Sequence, residues 1–191
     1  MKKISFVLLM MTFVLISAAQ TGVNFGIKGG LNIANLDINK QEQNSRLGLN
    51  AGFIVQVPVS PDIAIQPEVL YSSQGAKYQA GGAEHNLQLD YLNIPVQFQL
   101  MVGRGFRAQT GPQVGILTKV EDEMNGAETG FFTKDDFKKT DIGWVFGFGY
   151  KTAGGFGIDA RYNLGLTNVN KTGSNTIRNN VVQVGLFYMF R

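Results

Sequence analysis

The chain has 191 residues, 24 of them glycine and 14 phenylalanine, with no cysteine, 17 basic and 14 acidic side chains. That length suits one domain, and the lack of cysteine excludes disulfides and thiolate metal sites. Two basic residues, Lys2 and Lys3, open the N-terminus; without them the formal charge is 15 − 14 = +1, which gives no ground for nucleic acid as a partner.

The first element in chain order is an export signal. Lys2 and Lys3 precede Ile4 to Ile16, apolar apart from Ser5 and Thr12, and Ser17-Ala18-Ala19 then places small residues before Gln20. That order defines a secretory signal peptide over 1–19, cleaved before Gln20, with a single domain over 20–191. The apolar run is shorter than the roughly 20 residues of a spanning helix, and no long apolar run follows.

Eight segments with a period of two come next. Phe25, Ile27, Gly29 and Leu31 share one face, against Asn24, Gly26, Lys28, Gly30 and Asn32. Leu47 to Val57 alternates in the same way, as does Ile63, Ile65, Val69 and Tyr71 against Ala64, Gln66, Glu68 and Ser72. In the fourth segment Leu92, Ile94, Val96, Phe98 and Leu100 share a face. Leu87, Leu89 and Tyr91 fall out of phase with them, which predicts a β-bulge near Tyr91. Phe106 to Ile116 forms the fifth, with Thr110 interrupting its apolar face. Ile142 to Tyr150, Phe156 to Leu166 and Val182 to Phe190 complete the set. Pro67, Pro95 and Pro112 lie within strands, where each removes a ladder hydrogen bond; bulges are the expected accommodation.

Connections alternate in length. Short turns fall at Ser60-Pro61-Asp62, Gly103-Arg104-Gly105 and Ala153-Gly154-Gly155. Long polar loops are predicted over 34–46, 75–86, 119–139 and 167–178. This is the arrangement of an outer-membrane barrel, with short turns in the periplasm. A soluble lipocalin-like barrel shares the periodicity, so the faces must be told apart by charge. Lys28, Glu68, Arg107, Lys151, Asp159 and Arg161 all occupy the glycine-rich face, and the opposite face is rich in Phe, Leu, Ile and Val. A soluble surface with so little charge would aggregate. The fold class is therefore all-β, an eight-stranded antiparallel up-and-down transmembrane β-barrel, exported to the outer membrane.

The sequence also resembles the PorT-like outer-membrane β-barrel proteins. The matching pieces are Gly26-Ile27-Lys28-Gly29-Gly30-Leu31-Asn32, Gln66-Pro67-Glu68-Val69-Leu70-Tyr71 with Gly75, Tyr91-Leu92-Asn93-Ile94-Pro95, and Gly111-Pro112-Gln113. Asp141-Ile142-Gly143, Arg161 to Asn168, and Leu186-Phe187-Tyr188-Met189-Phe190 complete the order. The resemblance covers nearly all of the chain after the signal segment. It implies an outer-membrane location but no single activity; PorT-like members are linked to protein secretion.

Among chemistry-bearing residues, Glu68 stands mid-strand on the inner face. Lys28 and Arg161 come to similar heights. In a lumen of eight strands, which side chains nearly fill, an interior polar network of Lys28, Glu68, Arg107, Asp159 and Arg161 is expected to hold the barrel together rather than to gate a pore. Barrels that act on lipids as hydrolases or acyltransferases need a hydroxyl beside a base. The single histidine, His85, is placed in a loop across a hairpin from Ser72 and Ser73, and is read as a solvated bystander. The carboxylates Glu121, Asp122, Glu123, Glu128, Asp135 and Asp136 lack the offsets of a calcium loop. No cofactor, metal site or catalytic set is expected. The reading is a non-enzymatic barrel with a structural role or with loops presented to a partner. Its expected partners are outer-membrane lipids and lipopolysaccharide, with envelope or secretion proteins as further candidates. The alternatives are a PorT-like secretion accessory, a narrow solute channel and a lipid-modifying enzyme.

Overall fold

The computed structural model describes residues 22–38, 41–42, 44–80, 82–124, 127–130, 132–171 and 176–190; the expected signal segment lies outside them. The strands are β1 (Asn24–Ile38), β2 (Gln41–Glu42), β3 (Asn44–Pro58), β4 (Ile63–Ala80), β5 (Ala83–Val102), β6 (Phe106–Met124), β7 (Ala127–Glu128), β8 (Thr140–Lys151), β9 (Phe156–Gly165) and β10 (Ile177–Met189). Setting aside the two-residue strands β2 and β7, the other eight form a ring. Neighbours in sequence pair antiparallel, and β1 closes on β10 in unbroken register from Gly26↔Met189 to Ile38↔Ile177.

The two faces separate as the alternation demands. Phe53 and Phe148 are each 70% exposed on the outside. Lys28, Glu68, Arg107, Asp159 and Arg161 are buried inside. Thr110, the polar residue on the outer face, donates to Val145 O (3.0 Å) and accepts from Trp144 Nε1 (2.8 Å), so neither hydroxyl nor indole is left bare toward lipid. Along the upper edge of the apolar band lie Tyr71, Leu92 and Ile116, which share one rung, and Ile33, Leu47 and Val182, which share another.

Above that edge the strands continue, and here the structure departs from the sequence reading. The segment 75–86, expected as a loop, is strand on both sides of a turn between Ala80 and Ala83. Segment 34–46 and the start of 119–139 are likewise largely strand. In this upper tier the inner face is apolar: Leu36, Ala76, Leu87, Leu89, Tyr91 and Leu117 pack as one cluster. The outer face carries the ion pairs Lys77–Glu84 and Lys119–Glu121. Leu87, Leu89 and Tyr91 are therefore in phase with Asn93 and Gln97 on the inner face, and β5 holds its register with β4 throughout. The bulge exists at the expected rung but in β6. Leu117 pairs Tyr91 and Lys119 pairs Asp90, leaving Thr118 as the extra residue, with its hydroxyl on Asp90 O (2.8 Å). It turns Val120 and Asp122 inward and Lys119 outward.

The prolines require no bulge. Register is constant across Pro67, Pro95 and Pro112, and pairing with the preceding strand lapses beside each of them; the one shift between β3 and β4 falls elsewhere, between Ser45 and Asn50. With constant register Pro95 falls opposite Glu68 and Pro112 opposite Val96, so the lost rungs follow one diagonal seam.

The faces are checked by Phe146 and Gly147, neighbours in β8. Phe146→Arg should cost about 2–4 kcal/mol of stability in bilayers. Arg at Gly147 should fail for another reason, since even a Cβ there lies 2.7 Å from Ala160 O and 2.9 Å from Arg161 Cγ. Urea unfolding in vesicles of graded thickness separates them: a thinner bilayer should relieve only the Phe146 variant.

Candidate functional site

The interior is filled in tiers. The central one is ionic. Arg161 on β9 donates from both terminal nitrogens to Glu68 on β4, at 2.7 Å each, a bidentate pair. Its Nη2 also lies 2.9 Å from Asp159 Oδ2, which accepts from Lys28 Nζ at 2.6 Å. Gln66 Nε2 supplies Glu68 Oε1 with a further bond (2.7 Å). The result is two cations alternating with two carboxylates across the lumen. Lys28 reaches Asp159, and Arg161 holds Glu68.

Arg107 belongs to the interior but not to this chain of ion pairs. Its guanidinium stacks 4.8 Å from the Phe187 ring, a cation–π contact, and its Nε has no acceptor among the described residues. Toward the short-turn end, Gln56, Gln99 and Gln109 hand bonds along at 2.7 and 3.0 Å, and Lys151 Nζ reaches Gln56 Oε1 at 3.5 Å.

Above the ionic tier sits an amide and hydroxyl cluster that the sequence reading did not pick out. Asn32 donates to Ser72 Oγ (2.9 Å) and Ser73 O (2.8 Å), and its Oδ1 accepts from Asn50 (2.7 Å) and Gln183 (3.0 Å). Gln74 donates to Ser72 and accepts from Asn179. The signal was available as polar residues at inner-face positions of four strands. Then comes the apolar tier, into which two loop residues, Phe137 and Val169, insert beside Leu87, Leu89 and Tyr91.

His85 is neither in a loop nor solvated. It lies in β5, 3% exposed, with Nδ1 3.2 Å from Asp122 Oδ2. Tyr78 stacks on it at 4.9 Å and donates to Asp122 Oδ1 (2.9 Å), while Thr129 Oγ1 donates to Oδ2 (2.5 Å). Burial and the Asp122 bond push the Tyr78 phenol up. Ser72 and Ser73 are paired with Tyr91 and Asp90, six and five residues along the strand from the Tyr78↔His85 rung, or about 17–20 Å. The arrangement brings neither Ser72 nor Ser73 to the histidine. Glu121, Asp122, Glu123 and Glu128 lie in β6 and β7 rather than in an open loop, and no cluster of three metal-ligating side chains occurs among the described residues.

A closed antiparallel ring with an apolar outer band and a charged, side-chain-filled interior defines a transmembrane β-barrel. The chain belongs to the family described as outer membrane protein beta-barrel domain, which matches residues 18–171; it is an outer-membrane protein. Among solved structures it is similar to neisserial surface protein A, NspA, with a TM-score of 0.58 and 14% identity over 88% of this chain and 99% of that one. It is also similar to Ail, the attachment invasion locus protein of Yersinia pestis, with a TM-score of 0.53 and 13% identity over 87% and 98% of the two chains. At such identities the likeness is one of fold. No curated protein matches the chain.

Removing one member of the ionic tier leaves an uncompensated buried charge. Glu68→Gln should lower stability by about 3 kcal/mol, and Arg161→Met, which leaves two carboxylates to one lysine, by more. In urea titrations of the reconstituted barrel the double variant should recover part of the summed loss.

Proposed function

We propose that the protein is a non-enzymatic barrel, exported by a signal peptide cleaved before Gln20, whose long-connection end faces outward and serves as a fixed platform for a partner. The observation that carries this is the burial of Phe137 and Val169, 2% and 0% exposed, within the apolar tier of the barrel. Anchored this way, the described residues of both connections are held against the mouth. Phe137 and Asn170 bridge the two connections as a further strand-like contact. Beneath them the amide and ionic tiers cross the lumen, which argues against solute passage. The separation of His85 from Ser72 and Ser73 argues against a serine hydrolase.

Limited proteolysis tests the platform. Trypsin should spare Lys138 and Lys139 in the folded wild type and cut there in Phe137→Ala. Planar-bilayer recordings of the wild type should show no conductance; steady channels would overturn the closed-barrel reading.

The resemblance of Gln66 to Tyr71 and of Arg161 to Asn168 to PorT-like proteins supports a second reading, an accessory of protein secretion. Deleting the gene separates the two: a fall in secreted proteins with an intact envelope favours the accessory, and a weakened envelope with normal secretion favours the platform.

A further inference from the structure

An open cleft of about 400 Å³ lies between the connection that follows β7 and the one that follows β9, lined by Lys134, Asp135, Phe137, Lys138, Lys139, Thr140 and Lys171. Four lysines thus line one recess, with Asp135 the single carboxylate among its lining residues. The neighbouring Asp136 accepts from Thr133 N and Oγ1 at 2.9 Å. None of the four lysines forms an ion pair among the described residues. Elsewhere on the rim Lys77 and Lys119 each hold a glutamate.

The backbone under these lysines is fixed. Lys138 N donates to Val169 O (2.8 Å), Lys171 N to Asp136 O (2.9 Å), and Leu117 N to Lys139 O (2.9 Å). Phe137 anchors the floor in the apolar tier. Clustered like charges on a fixed frame repel one another, and an anion placed among them relieves that repulsion.

Height identifies the anion. Thr140 pairs with Ile116, which lies along the upper edge of the apolar band. Lys139 and Lys138 follow within about 3–7 Å, at the level where headgroups begin. At that height the charged groups bordering the barrel are lipid headgroups, whose anionic oxygens are phosphates. We propose that the cleft formed by Lys134, Lys138, Lys139 and Lys171 binds the phosphate groups of an outer-leaflet glycolipid, as found on lipopolysaccharide. This rests on the reading that the long-connection end faces outward.

The test uses the mature full chain reconstituted in phosphatidylcholine nanodiscs, with bis-phosphorylated lipid A added and bound lipid counted by native mass spectrometry. Wild type should retain lipid A bearing both phosphates and release the dephosphorylated form. Lys138→Gln/Lys139→Gln/Lys171→Gln should lose affinity at least about tenfold, while Lys77→Gln binds as wild type does. Equal retention of the dephosphorylated lipid, measured on unmodified protein, overturns the proposal even if the triple variant misfolds, which a gel shift on boiling would show. A triple variant that folds and binds normally also overturns it. So does tighter binding of soluble sucrose octasulfate than of the lipid, which would mark a site for free glycans. A Gln79→Cys variant, exposed at the long-connection end of β4 and outside the cleft, probed on intact cells with an impermeant maleimide separates the two readings. Absence of labelling overturns the outward orientation and this site together. Labelling without phosphate selectivity overturns the site alone.

Discussion

Backbone amides in hydrocarbon have no water to turn to, so this fold depends on the pairing of β1 with β10. That ladder runs over thirteen registered pairs without a break, and it removes the only two edges a sheet of this order would otherwise present to lipid. Closure at eight strands also fixes the radius, and the radius decides what the inside must be. A lumen this narrow cannot hold a charge at a distance from its neighbours. The strands can spare rungs elsewhere because the ring is closed: the diagonal seam through Pro67, Pro95 and Pro112 loses bonds without losing register.

The ionic tier is the answer to that narrowness. Arg161 presents its planar fork to Glu68 and still reaches Asp159, and Lys28 completes the balance from the first strand. The set ties β1, β4 and β9 together across the barrel. Such a set adds less net stability than apolar packing would, because four groups lose their hydration. What it adds is intolerance of alternatives. A register slip of one residue on any of these strands would send a charge into lipid. The short residues needed to admit these long side chains follow from the same geometry: Gly157 lies under the Phe187 ring on which Arg107 stacks.

In the membrane-spanning part, one face meets lipid and the other meets charge, and the contrast between Phe146 and Gly147, or Ile27 and Lys28, is legible residue by residue. That these charges point inward was legible for the same reason: a charge on the glycine-rich face has nowhere else to go, although Arg107 stands apart from the ion pairs, on the Phe187 ring. Their partners were not, since pairing Lys28 with Asp159 depends on strand stagger, which alternation does not encode. The upper tier was misread for a definite physical cause. There the outside solvent changes from lipid to water while the strands run on, so the apolar residues move inward. In β5 this looks like a phase error at Tyr91, although the backbone never changes phase. In β6 the same change of solvent is met by a real phase shift at Thr118. His85 followed the same error: taken as loop, it is the inward residue of a strand.

The barrel therefore obeys two solvents along one set of strands. Below the rung of Tyr71, Leu92 and Ile116 it is apolar outside and polar inside; above it, the sense is reversed, as in a small soluble barrel. The reversed tier gives the loops something to bury. Phe137 and Val169 gain an apolar site that a polar lumen could not offer, and under the proposed platform role their segments lose freedom before a partner arrives. Asp122 extends the same effect, drawing Tyr78, His85 and Thr129 to one carboxylate beneath the rim. Ordering loops in advance lowers the entropy lost on binding. A pore or a lid that must open would need the opposite, a mouth with few buried contacts. The inner packing of the upper tier thus bears directly on function: it favours a surface that is bound as it stands over one that moves to admit a substrate.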